Sequence, residues 1–307
     1  MTKTKLIVVA GPTASGKTRL GIEIAKAVGG EIISADSMQV YKGMGIATAA
    51  PTESERAEVP HHLVEFLDRS ESYSVSDFCS YAEKAVGDIT GRHKVPVLVG
   101  GTGLFIDSFV DHIKFTQAET DFKLRERLMA KSADVLYDEL LRIDPQAAEN
   151  IHKNNKSRVA RAVEIYYTSG KTKSMQNEHS RLEESPYDVL YFVLCYKNRE
   201  LLYDRINRRV DIMAENGLAD EAAHCLSEGG KTSAQAIGHK ELAPYFKGEI
   251  SFESAIEKLK QETRHYAKRQ MTWFKRRKNA VWLFADDENT DAAAYAVDKS
   301  REFLKNG

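Results

Sequence analysis

Residues 11 to 18 read Gly-Pro-Thr-Ala-Ser-Gly-Lys-Thr, and no other stretch narrows the possible folds as much. The octet follows an apolar run, Lys5-Leu6-Ile7-Val8-Val9-Ala10. A helical pattern from Thr18 to Val28 comes next, with Leu20, Ile22, Ile24, Ala25 and Val28 as its apolar members. A G-x-x-x-x-G-K-T spacing between a strand and a helix is that of an oligophosphate cradle. Gly11 and Gly16 let the backbone wrap closely, and Pro12, Thr13, Ala14 and Ser15 present their backbone to the ligand. The helix start adds positive potential. Lys17 brings a point charge for a phosphate, and Thr18 brings a hydroxyl for a divalent cation. The octet implies that an oligophosphate binds. It leaves open which one, and what is done to it.

The rest of the chain continues an α/β pattern. Strands are expected at 31–35, 95–99, 188–195 and 280–284, with helices at 76–90, 103–110, 199–216, 218–226, 252–277 and 290–304. Ser74 or Ser76 caps the helix at 76–90. Residues 42–71 read as irregular, with Gly43, Gly45, Pro51 and Pro60. Strand and helix alternating at this spacing means right-handed crossovers and a parallel sheet. Between 116 and 185 the pattern changes. Helices are expected at 120–129, 133–143, 145–151 and 156–169 with no strand among them, then a polar stretch from Lys171 to Glu184. The expected fold is therefore α/β, a P-loop core with a parallel sheet at 1–115 and 186–307, and an all-helical insertion at 116–185.

Composition excludes several classes. With 42% apolar and 29% charged residues, the chain is that of an ordinary soluble protein. A net charge of -1 gives no global signal for nucleic acid, so any such signal must be local. Cys79, Cys195 and Cys225 are far apart and form no metal or disulfide pattern, which fits a reducing cytosol. No apolar run approaches the ~20 residues of a membrane span, and no signal peptide precedes the first strand.

Beyond the octet, four features carry chemistry. Asp36 follows the second strand, at the sheet edge where α/β ligands bind, and can act as metal ligand, general base, or merely a cap or solvated loop acid. Gly100-Gly101-Thr102-Gly103 ends the third strand, where Thr102 can donate to a phosphate or simply sit in a turn. A nucleotide hydrolase would normally hold magnesium with an Asp at that strand end, and this one ends in Gly-Gly. Arg205, Arg208 and Arg209 crowd one helix, and Arg158 and Arg161 share a helix face; such faces are also commonly just solvated. Residues 264–278 hold seven Lys or Arg, no acid, and interleaved aromatics. That stretch suits unpaired RNA bases, or it is an amphipathic helix with Tyr266, Met271 and Phe274 in the core. His61-His62 lacks further ligands at metal spacing.

Together these stretches resemble the signatures of the bacterial tRNA dimethylallyltransferase family. The octet, Asp36-Ser37-Met38-Gln39-Val40-Tyr41, Val59-Pro60-His61-His62-Leu63, Gly100 to Leu104, and Tyr266 to Phe274 carry the likeness. So do Arg158-Val159-Ala160-Arg161-Ala162, Met213, Gly217-Leu218, Glu221 and Ile237-Gly238, all in the family's order over about residues 5 to 285.

The resemblance implies transfer of a dimethylallyl group from dimethylallyl diphosphate to N6 of the adenosine just 3′ of the anticodon, in tRNAs reading codons that begin with U. Diphosphate leaves and no ATP is consumed. It implies that Asp36 takes the amine proton, that Thr102, Lys17 and Arg205 act at the diphosphate, and that Thr18 carries Mg²⁺. It places tRNA contacts at Asp36, Ser37, Met38, Gln39, Thr102 and Arg125, at Ser157, Arg158, Val159, Ala160 and Arg161, and at Gln235, Ala236, Ile237, Gly238, His239 and Lys240. It implies a helical insertion that grips the anticodon stem-loop, and a cytoplasmic monomer is expected. Two positions depart from the family pattern: Ser157 stands where Gln is usual, and His239 where Tyr is usual. The rival readings are a P-loop small-molecule kinase, a prenyltransferase acting on free adenine nucleotides, and a non-catalytic RNA-binding module.

Overall fold

The computed structural model describes residues 3–115, 121–179, 184–228 and 232–306. Strand β1 (Thr4–Ala10) is buried from Leu6 onward, as suits a central strand covered on both faces. Helix α1 (Lys17–Val28) springs from the octet, and Gly16 takes φ 95° at its cap, a conformation that favours glycine. Strand β2 (Gly30–Ala35) follows, then helices α2 (Gly45–Thr48) and α3 (Glu53–Glu58) and the two-residue strand β3 (His61–His62). These three short elements lie in the stretch read as irregular. They are too short for a periodic signal, and only the Thr52–Glu55 capping box marks them locally. Helix α4 (Val75–Gly91), capped by Ser74, leads to β4 (Val95–Gly100) and α5 (Gly103–Val110).

Five helices come next: α6 (Phe122–Ala130), α7 (Ala133–Ile143), α8 (Pro145–Asn150), α9 (Lys156–Ser169) and α10 (Lys173–His179). Helix α10 falls in the stretch read only as polar. Tertiary contacts hold it: Asp144, at the start of α8, accepts from Ser174 N at 2.9 Å and from Ser174 Oγ at 2.7 Å. The expected helix start at Thr120, the boundary at 116 and the polar residues 180–183 lie outside the described residues. Strand β5 (Tyr187–Cys195), α11 (Arg199–Glu215), α12 (Leu218–Glu228), a 3₁₀ turn at Ser233–Gln235, α13 (Ala243–Phe246), α14 (Phe252–Phe274), β6 (Val281–Phe284) and α15 (Ala292–Lys305) complete the chain.

The six strands form one parallel sheet in the order β3-β2-β4-β1-β5-β6. Ala10 and Ala35 both stand opposite Gly100, so Gly11, Asp36 and Gly101 leave the same edge side by side. On one face Ile7, Val9 and Phe192 pack with Leu20, Ile24 and Ala296 of α1 and α15. On α4 and α5, Phe78 stacks on Phe105 at 4.8 Å. Each such buried side chain contributes roughly 1.5–3 kcal/mol by leaving water.

Contacts divide the chain into two compact units, Met1–Val110 with Pro186–Gly307, and Asp111–Ser185. Among its described residues the second holds helices and no strand, with its own core of Leu128, Leu136, Leu140, Val159 and Val163.

Candidate active site

The octet forms the turn between β1 and α1, and its conformation is held from outside. Ala14 sits at φ 61°, a left-handed value costly for a residue with a Cβ. Its carbonyl accepts a hydrogen bond from Arg205 Nε at 3.0 Å, and its methyl packs with Leu202, Ile206 and Ala267. Thr13 N donates to Gln270 Oε1 at 2.9 Å, while Gln270 Nε2 donates to Gly101 O at 2.9 Å. One buried amide on α14 thus staples the cradle to the end of β4. A Cβ at Gly101 would overlap that amide, which accounts for glycine there. Ser15 is buried behind the loop.

Two cavities open on the cradle. A pocket of about 310 Å³ is lined by Thr13, Lys17, Thr18, Asp36, Tyr266 and Gln270, among others. A wider cleft of about 1140 Å³ is lined by Lys17, Thr18, Arg205, Arg208 and Arg209. Lys17, Thr18, Ala49, Arg209 and Met213 line both, so the two adjoin at the cradle. Asp36 faces only the smaller pocket, and Arg205 and Arg208 only the larger.

Asp36 is half-buried, and its Oδ1 accepts from Met38 N at 2.9 Å and Gln39 N at 3.3 Å. These bonds fix the carboxylate at the mouth of β2. Thr102 N donates to Ala35 O at 3.3 Å, and Thr102 Oγ1 accepts from Ser37 N at 3.3 Å. Tyr266 faces Thr102 and Gln270; burial, reinforced by the charge of Asp36, pushes its phenol well above the usual range. It is therefore a neutral hydroxyl at any working pH.

Lys17 Nζ donates to Pro12 O at 3.2 Å, across the cradle mouth. Burial, with the like charge of Arg209, lowers its pKa to about 8, against the pull of Asp36. Burial also lowers the pKa of Arg209, and Asp36 and Glu55 oppose that shift. Two crowded cations with so little countercharge make a site that waits for an anion. The donor set suits a hard divalent ion held largely by a ligand's own oxygens. Thr18 and Asp36 open on one pocket, and among the described residues no three His, Cys, Asp or Glu gather into a protein-only cage.

The other expected contacts divide. Ser37, Met38, Gln39, Gln235, Ala236, Ile237, Gly238 and Lys240 all line the smaller pocket. The amide of Gln39 is already engaged, accepting from Ser34 Oγ and donating to Thr48 O and Ala49 O. His239 is a correction. It is fully buried away from the pocket, and its Nε2 meets Glu221 Oε1 at 2.9 Å. Glu221 also accepts from Ile46 N at 2.8 Å and Ala47 N at 2.9 Å. The pair therefore ties the 235–240 segment to α2, and both of these pocket walls depend on it.

In the helical unit, Arg125 and Arg161 both pair with the buried Glu164, at 2.7 and 3.1 Å, and Ser157 and Arg158 are exposed. Val159 and Ala160 are a second correction, since both side chains lie in that unit's core, on the inward face of α9. His61 and His62 serve the sheet edge: His62 Nε2 meets Glu31 at 2.7 Å, and His61 Nδ1 meets Val59 O at 2.8 Å.

Arg209, Tyr266 and Gln270 fall within stretches that the sequence marks, but the sequence assigns none of them its place on the pocket. Gln270→Ala leaves Thr13 N and Gly101 O without their partner. Thermal unfolding should show a loss of about 1–3 kcal/mol, with weaker diphosphate binding, and wild-type values for both would mean the staple carries no weight.

Fold and site define a P-loop α/β protein whose cradle lies beside a carboxylate fixed at the end of β2, while β4 ends in Gly100 and Gly101. Residues 39–277 match the family model described as IPP transferase, and residues 4–69 one described as isopentenyl transferase. A tRNA dimethylallyltransferase of Caldanaerobacter subterraneus subsp. tengcongensis is 44% identical over 295 residues, covering 93% of each chain. One of Staphylococcus epidermidis is 46% identical over 293 residues, covering 92% of this chain and 87% of the relative. Among solved structures, a tRNA isopentenylpyrophosphate transferase from Bacillus halodurans matches at TM-score 0.72 and 40% identity, covering 99% of both chains. A eukaryotic dimethylallyltransferase acting on tRNA matches at TM-score 0.85 and 33% identity, covering 99% of this chain and 80% of the other. The chain belongs to the IPP transferase family, and it is a prenyl-transferring enzyme. No helix among the described residues is long and apolar enough to cross a membrane.

Proposed function

We propose that this enzyme transfers the dimethylallyl group of dimethylallyl diphosphate to N6 of the tRNA adenosine 3′-adjacent to the anticodon, in tRNAs reading codons that begin with U. The observation that carries this reading is the pair of adjoining cavities, with Asp36 on one side and the arginines on the other. A bond between an acceptor amine and an allylic carbon needs its base and its leaving-group cradle on opposite sides of that carbon.

The acceptor base enters the smaller pocket, flipped out of the loop, between the Gln235–Gly238 wall and Tyr266. The diphosphate lies across Lys17 and Arg209 with its remaining charge toward Arg205. Asp36 accepts the amine proton as nitrogen attacks, and Thr102, hydrogen-bonded to Ser37 N, donates toward the diphosphate. As the allylic C–O bond breaks, negative charge collects on the diphosphate. The cradle N–H groups and Lys17 are already placed to receive it. Thr18 is the residue that would hold Mg²⁺, which when bound adds positive charge against the diphosphate oxygens. Arg158 and Ser157 present an exposed polar helix start for the RNA backbone. The enzyme works as a cytoplasmic monomer in this reading.

The test mixes purified protein, Mg²⁺ and labelled dimethylallyl diphosphate with a U-reading tRNA or with AMP, without nucleoside triphosphate. Label should enter the tRNA alone. Label on AMP would move the acceptor to free nucleotides, and an ATP requirement would favour a kinase.

A further inference from the structure

Helix α14 has two working faces. Thr263, Tyr266 and Gln270 line the acceptor pocket, while Ala267, Met271 and Lys275, four residues apart, line a separate cavity of about 640 Å³. That cavity lies at the carboxyl ends of β5 and β6, beyond Cys195 and Phe284, and contains no residue assigned above to catalysis. Its volume falls in the range of ligand sites, about 300–1,000 Å³.

Its lining combines two chemistries. Tyr196, Tyr203, Trp282 and Phe284 supply half-buried aromatic surface. Lys197, Arg199, Lys268 and Lys275 are exposed cations around it, and no acid belongs to the lining. Lys197 is paired with Asp287 at 2.7 Å, but among the described residues Arg199, Lys268 and Lys275 form no ion pair. Burial pushes the Cys195 thiol up to about 11, so it is an inert wall. Aromatic faces flanked by unmatched cations suit a ligand with a flat apolar ring and a negative backbone, as single-stranded nucleic acid presents.

We propose that this cavity is a second RNA contact, taking one unpaired nucleotide of the bound substrate with its base on the aromatic walls and its phosphates on Lys268 and Lys275. The proposal rests on the RNA reading of the function. It gives the second face of the basic helix a partner of its own, distinct from the acceptor pocket.

The test titrates a fluorescent anticodon stem-loop with wild type, a Lys268→Ala/Lys275→Ala variant, Trp282→Ala and Trp282→Phe, from 50 to 300 mM salt. The double lysine variant should bind about tenfold more weakly at low salt, and its slope of log affinity against log salt should be shallower by about 1 to 1.5. Trp282→Ala should weaken binding about five- to tenfold, and Trp282→Phe, which keeps an aromatic face, should recover most of that loss. Wild-type affinity and slope in the lysine variant, with wild type binding and prenylating the stem-loop, would overturn the cavity's role and leave the function intact. Failure of the wild-type chain to bind the stem-loop would remove the RNA reading itself, and the proposal with it.

Discussion

Asp36→Asn should lower kcat by about 10²–10⁴ while the Kd for tRNA moves by no more than a few-fold. Asparagine keeps an oxygen that can accept from Met38 N and Gln39 N, so the turn after β2 should persist. What it loses is basicity toward the acceptor amine. Asp36→Ala removes both functions, and should be at least as slow and somewhat less stable, because two backbone N–H groups lose their acceptor. Single-turnover transfer, measured beside filter binding of the same tRNA, separates the two effects. A near-normal kcat for Asp36→Asn would mean that the proton leaves by another route.

The second large effect concerns Lys17. Its pKa, lowered to about 8 by burial and by Arg209, means that the free enzyme loses this cation as pH rises through that value. Below about pH 8 the ammonium is present and binds the diphosphate; above it the cradle is neutral at Lys17 and binds more weakly. Thus kcat/KM for dimethylallyl diphosphate should fall on the alkaline side, with an apparent pKa near 8. Bound diphosphate favours the charged form, so kcat should hold to higher pH than kcat/KM. Lys17→Met should lose about 10²–10³ in kcat, comparable to losing a preorganised donor to a developing anion, and should flatten that alkaline limb. A limb unchanged in Lys17→Met would assign the titration to another group.

Much of this site was legible in the chain because its parts are local. The octet, Asp36 directly after β2 and the Gly-Gly end of β4 each announce themselves within a few residues of a strand. Parallel pairing alone then brings Gly11, Asp36 and Gly101 to one edge. Gln270 was not legible as a staple, because its partners Thr13 and Gly101 lie 257 and 169 residues away. Periodicity shows that α14 has faces but not what each face meets. Arg209 reads as one of three arginines crowding one helix, at a site or merely solvated, and only packing distinguishes it as the one on both cavities. His239 was misplaced for a related reason. A histidine in a loop beside Gly238 reads as a contact residue, whereas Glu221, 18 positions earlier, draws it fully inside. Val159 and Ala160 were carried along with the arginines that flank them, although a helix turns adjacent residues to different faces. Helix α10 carries no apolar stripe and depends on the buried Asp144.

In the proposed reaction the cradle holds a leaving group, so that Lys17 and its loop promote carbon–oxygen cleavage. The most direct measurement follows one reaction with two readouts, inorganic diphosphate released and modified nucleoside formed, the latter located in tRNA fragments by mass spectrometry. With dimethylallyl diphosphate as the prenyl donor and no nucleoside triphosphate present, one diphosphate should appear for each N6-dimethylallyl adenosine, with all of the modified adenosine at the position 3′ of the anticodon. Modified adenosine formed without matching diphosphate release, or formed only when ATP is hydrolysed in step, would contradict it.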